Sequence, residues 1–279
     1  MKKLLIAAVA LASGVASAGI VSSSIVGYQN RDIDSDGWQL ITSTFLPIGK
    51  EKSEAKLSDI TPTGWSFWGG DYVQFLDASG GTKTFVVGEE EYPCLFTYLT
   101  TADGAPADGW YQYEQAMAFN FIPAPNADTA LEYGDGAVYA ATSGSAKLVY
   151  SGEVAQTPQS IMVDRVGWNI IGNPTPVETT FSDITPDGWN FWAGDYLQFL
   201  DASGGTKTFV YQDQEYPCMF TYLTTADGAP AAGWYQYEQA MAFNFISIQD
   251  AGLNDVASGQ AFVFATESRT ATVQFPGAL

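Results

Sequence analysis

Thirty-one carboxylates and not one histidine set the chemistry open to this chain. Without imidazole there is no Ser-His-Asp or Cys-His nucleophile, no histidine zinc site and no side chain that titrates near neutrality unaided. What remains for an enzyme is acid–base work by two carboxyl groups facing one cleft, about 5 to 10 Å apart. Asp71, Asp77, Glu91 and Glu114, with Asp195, Asp201, Glu215 and Glu238, are the candidates. Spacing along the chain does not bring them to one cleft, and solvated loop and strand-end acids are the simpler reading. The sequence therefore argues against an enzyme.

Two other patterns could bind. Asp32-Ile33-Asp34-Ser35-Asp36-Gly37 matches the opening of a calcium loop, in which alternate Asp side chains supply oxygens and Gly permits the sharp turn. The loop is incomplete, with Ser43 at the twelfth position and Trp38 opening an apparent strand. An acidic hairpin turn is the preferred reading, and calcium held by Asp32, Asp34 and Asp36 the second. The other pattern is aromatic: Gly64-Trp65-Ser66-Phe67-Trp68-Gly69-Gly70, with Trp189 and Trp192 in a matching stretch. Exposed indoles there could stack on sugar rings, with Asn120 and Gln112 as polar partners, while buried ones would fill a β core. In an extended segment Trp65 and Phe67 would share a face, as would Tyr111 and Tyr113, with Trp110 opposite.

These residues come in pairs because the chain is duplicated. Residues 59–121 return as 183–245 at a constant offset of 124, with ten of 63 positions different. The match extends from Gly136–Thr142 to Gln260–Thr266 and, across a six-residue insertion, from Gly37-Trp38 to Gly167-Trp168. All eight Trp and both Cys fall into pairs, Cys94 with Cys218. One Cys per unit excludes a disulfide within a unit. Tyr92–Leu99 is apolar on both faces, so a buried thiol is the first reading, and a Cys94–Cys218 bond or a bond between molecules the second.

Short runs of aromatic and β-branched residues, punctuated by Gly, Pro, Asp and Asn, predict strands throughout. In the first unit they fall at 25–29, 38–45, 72–76, 82–87, 94–100, 110–121, 137–141 and 146–150, with a hairpin loop at Asp77–Gly81. The only helix-like stretch is 50–57, inside the insertion. The expected architecture is all-β, two tandem homologous antiparallel β-sandwich domains at 19–153 and 154–279, joined through Ser151–Gln159.

Lys2-Lys3, an apolar run from Leu4 to Leu11 and Ala16-Ser17-Ala18 have the form of a secretory signal peptide over residues 1–18. No Cys follows Ala18, and no stretch is long and apolar enough for a spanning helix. Lys2 and Lys3 belong to the signal, which leaves nine basic residues against 31 acids. Such a surface repels phosphate backbones and anionic lipid heads, so no nucleic-acid partner and no membrane span are expected.

Gly167-Trp168-Asn169-Ile170-Ile171-Gly172-Asn173-Pro174, Ser23–Tyr28 and Gly259–Phe264 resemble strand-and-turn motifs of large secreted β-repeat proteins of Gram-negative bacteria, Verrucomicrobia and Lentisphaerae among them. The resemblance covers about a quarter of the chain in short pieces. It implies an extracellular β-domain and carries over no site residue. The first unit departs from it, with Ser43-Thr44-Phe45-Leu46-Pro47 where the Gly-Asn-Pro turn would fall.

The sequence thus points to a secreted, non-enzymatic surface or matrix protein, structural or adhesive, on the exterior or in the periplasm of a Gram-negative bacterium. Its partners would be copies of itself or other surface proteins. A carbohydrate-binding protein using Trp65, Trp68, Trp189 and Trp192 on a polysaccharide is the alternative, and an outer-membrane barrel a third reading that the repeat disfavours.

Overall fold

The computed structural model describes residues 26–278 except 35–36, 47, 49–54, 126–128, 132, 143–144, 164–165 and 268–269. The signal-peptide segment, most of the helix-like stretch at 50–57, Asp36 and the side chain of Asp34 lie outside the described residues.

The fold is all-β, and every strand pairing is antiparallel. In chain order the first unit has β1 (Val26–Asp34), β2 (Trp38–Thr42), β3 (Thr61–Thr63), β4 (Tyr72–Gln74), β5 (Thr84–Val87), β6 (Glu90–Pro93), β7 (Leu95–Leu99), β8 (Gly109–Gln112), the short helix α1 (Tyr113–Met117), β9 (Gly136–Ala140) and β10 (Ser145–Glu153). The second has β11 (Gln159–Val163), β12 (Gly167–Gly172), β13 (Thr179–Thr180), β14 (Thr185–Asp187), β15 (Tyr196–Gln198), β16 (Thr208–Tyr211), β17 (Gln214–Pro217), β18 (Met219–Leu223), β19 (Gly233–Gln236), α2 (Tyr237–Met241), β20 (Asp255–Val256), β21 (Ala261–Thr266) and β22 (Ala271–Phe275).

The duplication is plain in the pairing. A three-stranded sheet β1-β10-β3 and a five-stranded sheet β2-β9-β4-β7-β8 recur as β11-β22-β14 and β12-β21-β15-β18-β19, each set with its own hairpin, β5-β6 or β16-β17. In the first unit Ile33, Leu148 and Tyr150 of the small sheet share one buried cluster with Ile41, Val73, Phe96, Trp110 and Tyr139 of the large one. Ile161, Val163, Val273 and Phe275 do the same with Ile171, Leu197, Phe220, Trp234 and Phe264 in the second. Cys94 lies in the first cluster and Cys218 in the second, so the two thiols sit in different cores and no bond joins them. Burial pushes the Cys218 thiol up to about 11.

Two expectations need correction, and one condition is not met. The strand predicted over 110–121 ends at Gln112, and α1 follows. Its Glu-Gln-Ala-Met run is made of strong helix formers, and the Gln112 side chain accepts from the Gln115 N–H at 2.6 Å, which starts the turn. The aromatic content of the stretch masked that signal. The stretch with Gly on both sides is a turn over 66–70, so the shared face of Trp65 and Phe67, which holds only for an extended segment, does not arise; Trp65 packs on the main core and Phe67 in a separate cluster with Leu99 and Tyr111. Two short strands also went unforeseen: Thr61–Thr63, built around a proline at a sheet edge, and Glu90–Pro93, which is half charged.

The units meet in a reciprocal contact. The Trp38 N–H donates to the Ala202 carbonyl and the Trp168 N–H to the Ala78 carbonyl, each at 2.8 Å. Each tryptophan thereby docks on the Asp-Ala-Ser-Gly-Gly loop of the other unit. Trp38 lies over Gly204 and Trp168 over Gly80, and a Cβ on either glycine would crowd the indole. Leu76 and Val138 of one unit and Ile170 and Ala261 of the other form the apolar centre between them.

Candidate functional site

The Trp-rich turn is built by its own polar groups. The Asp71 carboxylate, fully buried, accepts the Ser66 N–H at 2.7 Å, and the Ser66 hydroxyl accepts the Gly69 N–H at 3.0 Å. Thr142, at the end of β9, donates its hydroxyl to the Gly69 carbonyl and ties the turn to the large sheet. In the second unit Asp195 accepts from the Asn190 N–H at 2.7 Å and from the Glu267 N–H at 3.1 Å, and Asn190 takes the place of Ser66.

This frame separates the four tryptophans singled out from the sequence. Trp65 is half-buried, packs edge-on against Trp110 at 5.3 Å, and donates its indole N–H to the Thr97 hydroxyl at 3.0 Å. Trp189 does the same with Trp234 and Thr221. Trp68 and Trp192, by contrast, are 62% and 61% exposed. One indole of each pair braces the core and the other faces solvent.

The outward indole has company that the sequence did not single out. Phe119, just past the end of α1, is 64% exposed, and Phe243 in the second unit 65%. The Trp68 and Phe119 ring centres are 6.4 Å apart, and the exposed Met117 at the end of α1 is repeated by Met241. Apart from Tyr28, Trp68, Phe119, Trp192 and Phe243 are the exposed aromatics among the described residues. Behind them the rings run on inward, Trp68 to Phe67 at 4.8 Å and Phe67 to Tyr113 at 5.8 Å, so the exposed rings stand on a rigid apolar base.

Phe119 also has an unusual backbone. Its φ is +56°, and that of Phe243 is +55°, the left-handed region where helices normally place Gly or Asn. For a bulky L-residue this costs roughly 1–2 kcal/mol. The conformation is held by the Phe119 N–H on the Ala116 carbonyl and the Asn120 N–H on the Gln115 carbonyl, each at 2.9 Å. A signal was present in the sequence, in that a helix-forming run followed by Ala-Phe-Asn has no Gly to end it.

The candidate acids serve the fold. Asp77 accepts from the Ser79 N–H and hydroxyl and the Gly81 N–H within its loop, and Asp201 repeats this, which holds the Asp201 carboxyl below the usual range. Glu91 accepts from Thr84 and Glu215 from Thr208 across their hairpins. Glu114 and Glu238 are exposed on the helices. Three clefts formed by described residues contain between them one carboxylate, Asp59.

Of the calcium candidates, Asp32 lies in β1 and pairs with Lys147 on β10 at 3.3 Å, and the backbone stays in strand pairing through Asp34. Among the described residues no group of three or more acids or Cys is placed to hold a metal ion. Among the described residues no helix is long and apolar enough to cross a membrane.

The chain matches no family model, no curated protein and no solved structure.

Proposed function

We propose that this is an exported, non-enzymatic surface or matrix protein, built as two tandem β-sandwiches, that adheres through two copies of an exposed aromatic patch. The carrying observation is the patch itself: Trp68, Met117 and Phe119, repeated as Trp192, Met241 and Phe243, all at least half exposed. A solvent-facing Trp, Phe and Met on a rigid base has the composition of a protein–protein contact, where aromatics and Met are enriched and Trp anchors dominate. Holding Phe119 outward in a strained backbone is costly, and a residue without a task would be expected to relax to Gly or Asn. Two patches on one chain raise avidity for any surface that both can reach. The sandwich assignment rests on the single core shared by the three- and five-stranded sheets of each unit.

The exposed indoles also favour a second reading, polysaccharide binding by stacking on Trp68 and Trp192. One experiment tests both. The mature protein and the W68A/W192A variant are compared by sedimentation across a concentration series, and their tryptophan emission is followed against a panel of polysaccharides. Concentration-dependent assembly that the variant loses supports adhesion between copies. A saturable shift with a glycan, absent from the variant, transfers the function to the second reading. Identical behaviour of variant and parent in both assays would remove the patch from the function.

A further inference from the structure

The reciprocal contact between the units is broken where Arg31 and Ile161 occupy equivalent positions, and a cleft lies beside Arg31. Arg31 on β1 lies opposite Leu148, and Ile161 on β11 opposite Val273. Leu148 and Val273 are both fully buried inward residues of their small sheets, so Arg31 and Ile161 are equivalent. Each reaches the other unit at equivalent places. The Arg31 guanidinium donates to the Ser258 carbonyl beside Gly259, whereas Ile161 packs directly on Gly134, the counterpart of Gly259. On the second side the isoleucine is 5% exposed and the neighbouring Leu76 is 4% exposed. On the first side the counterpart of Leu76, Leu200, is only partly covered, and a cleft of about 250 Å³ lies beside it.

The lining of that cleft runs against the rest of the molecule. Arg31, Gln39, Lys207 and Gln260 supply its polar groups, Trp38, Phe199 and Phe262 are among its walls, and among the described residues no Asp or Glu lines it, in a chain of net charge −20. Two of the nine basic residues that follow the signal segment therefore face one small space. Arg offers a planar fork matched to carboxylate or sulfate, Lys a point charge, and the two amides can donate or accept beside them. The volume falls below the roughly 300–1,000 Å³ of drug-sized pockets, which fits one small unit and not a polymer chain.

The geometry points to an anion site between the units, held by Arg31 and Lys207, that takes a small carboxylate- or sulfate-bearing ligand such as an acidic sugar residue. It is independent of the aromatic patches, since none of its lining residues belongs to them. It also exists once per chain: Ile161 fills the equivalent place on the other side, so the duplicated units carry one anion site between them.

Calorimetric titration of the full mature protein with sodium glucuronate, with sodium sulfate and with neutral glucose tests it. Glucuronate, sulfate or both bind with a Kd of about 1 mM or tighter at one site per chain, and glucose does not. Raising the salt weakens the binding. Arg31→Ile, which copies the second side, and Lys207→Ala, at an exposed position, each weaken it by about ten-fold or more. Absence of binding by both anions, or binding that survives in Lys207→Ala together with either Arg31→Ile or Arg31→Gln, would overturn the proposal.

Discussion

The two sides of the contact between the units share one backbone arrangement and reach different results. Trp38 on the loop at Asp201–Gly205 and Trp168 on the loop at Asp77–Gly81 repeat one another down to the hydrogen-bond length. A few residues away, Arg31 over Ser258 borders a cleft, while Ile161 packs closely on Gly134. A second difference lies in what crosses the contact. Tyr133 of the first unit inserts into the core of the second, 4% exposed, and donates to the Pro174 carbonyl at 2.6 Å. Its counterpart in the strand register is Ser258, whose side chain is too small to reciprocate. The backbone contact is thus symmetric, and a few side chains on it give each side its own character.

Truncating the one-way plug is the most severe way to break this comparison. Tyr133→Ala is expected to cost about 3–5 kcal/mol, the range for emptying a large aromatic site in a core. Tyr133→Phe, which loses the bond to Pro174, should cost about 1 kcal/mol. Urea denaturation followed by tryptophan emission measures both. A loss below about 1 kcal/mol for the alanine variant would mean that the plug does not couple the units.

The symmetric part is probed next. Gly37 and Gly167 have φ of +132° and +99°, and a Cβ on them would overlap the Ala202 and Ala78 carbonyl oxygens. Gly37→Ala and Gly167→Ala should each destabilise by about 2–3 kcal/mol, through strain and displacement of the loop. Near-equal losses would sharpen the symmetry. A difference of more than about 1 kcal/mol between them in the same denaturation assay would show that one tryptophan dock carries most of the contact.

A smaller effect of opposite sign is expected at the patches. Phe119→Gly and Phe243→Gly release the left-handed strain and should raise stability by about 1 kcal/mol each, while weakening adhesion. Melting and sedimentation on the same samples read both quantities. A destabilised glycine variant would show that Phe119 is held outward by packing and not for contact.

The smallest effect separates the two cores by pH. The first core buries Tyr139 and Tyr150, and burial pushes both phenols up from 10.0. The matching residues of the second core are Phe264 and Phe275, which do not titrate. A phenol raised in the folded state contributes fully below its unfolded value of about 10. Above that pH the unfolded chain releases protons that the folded chain keeps, and stability falls. Tyr150→Phe should therefore flatten the loss of stability between about pH 10 and 11.5, a comparison made by urea midpoints at each pH. An unchanged slope would place the alkaline loss elsewhere, with Cys218 next, because its thiol is raised from 9.0 to about 11.

Much of this was legible in the chain. Alternating aromatic and β-branched runs marked most strands, and the offset of 124 marked the repeat, because periodicity and identity are properties of the chain alone. The absence of His narrowed the chemistry before any fold was known. What the sequence left open was direction. Trp65 and Trp68 are three residues apart in one turn, and only the packing of that turn on Trp110 and Thr97 decides which indole braces the core. Phe119 read as one more strand aromatic until the helix before it set its backbone and turned it outward. Likewise, Arg31 and Ile161 differ in sequence like any other pair of homologous positions. Their meaning comes from Ser258 and Gly134, more than 200 residues after the first and 27 before the second, and a contact between distant segments is fixed by the tertiary fold and not by local pattern.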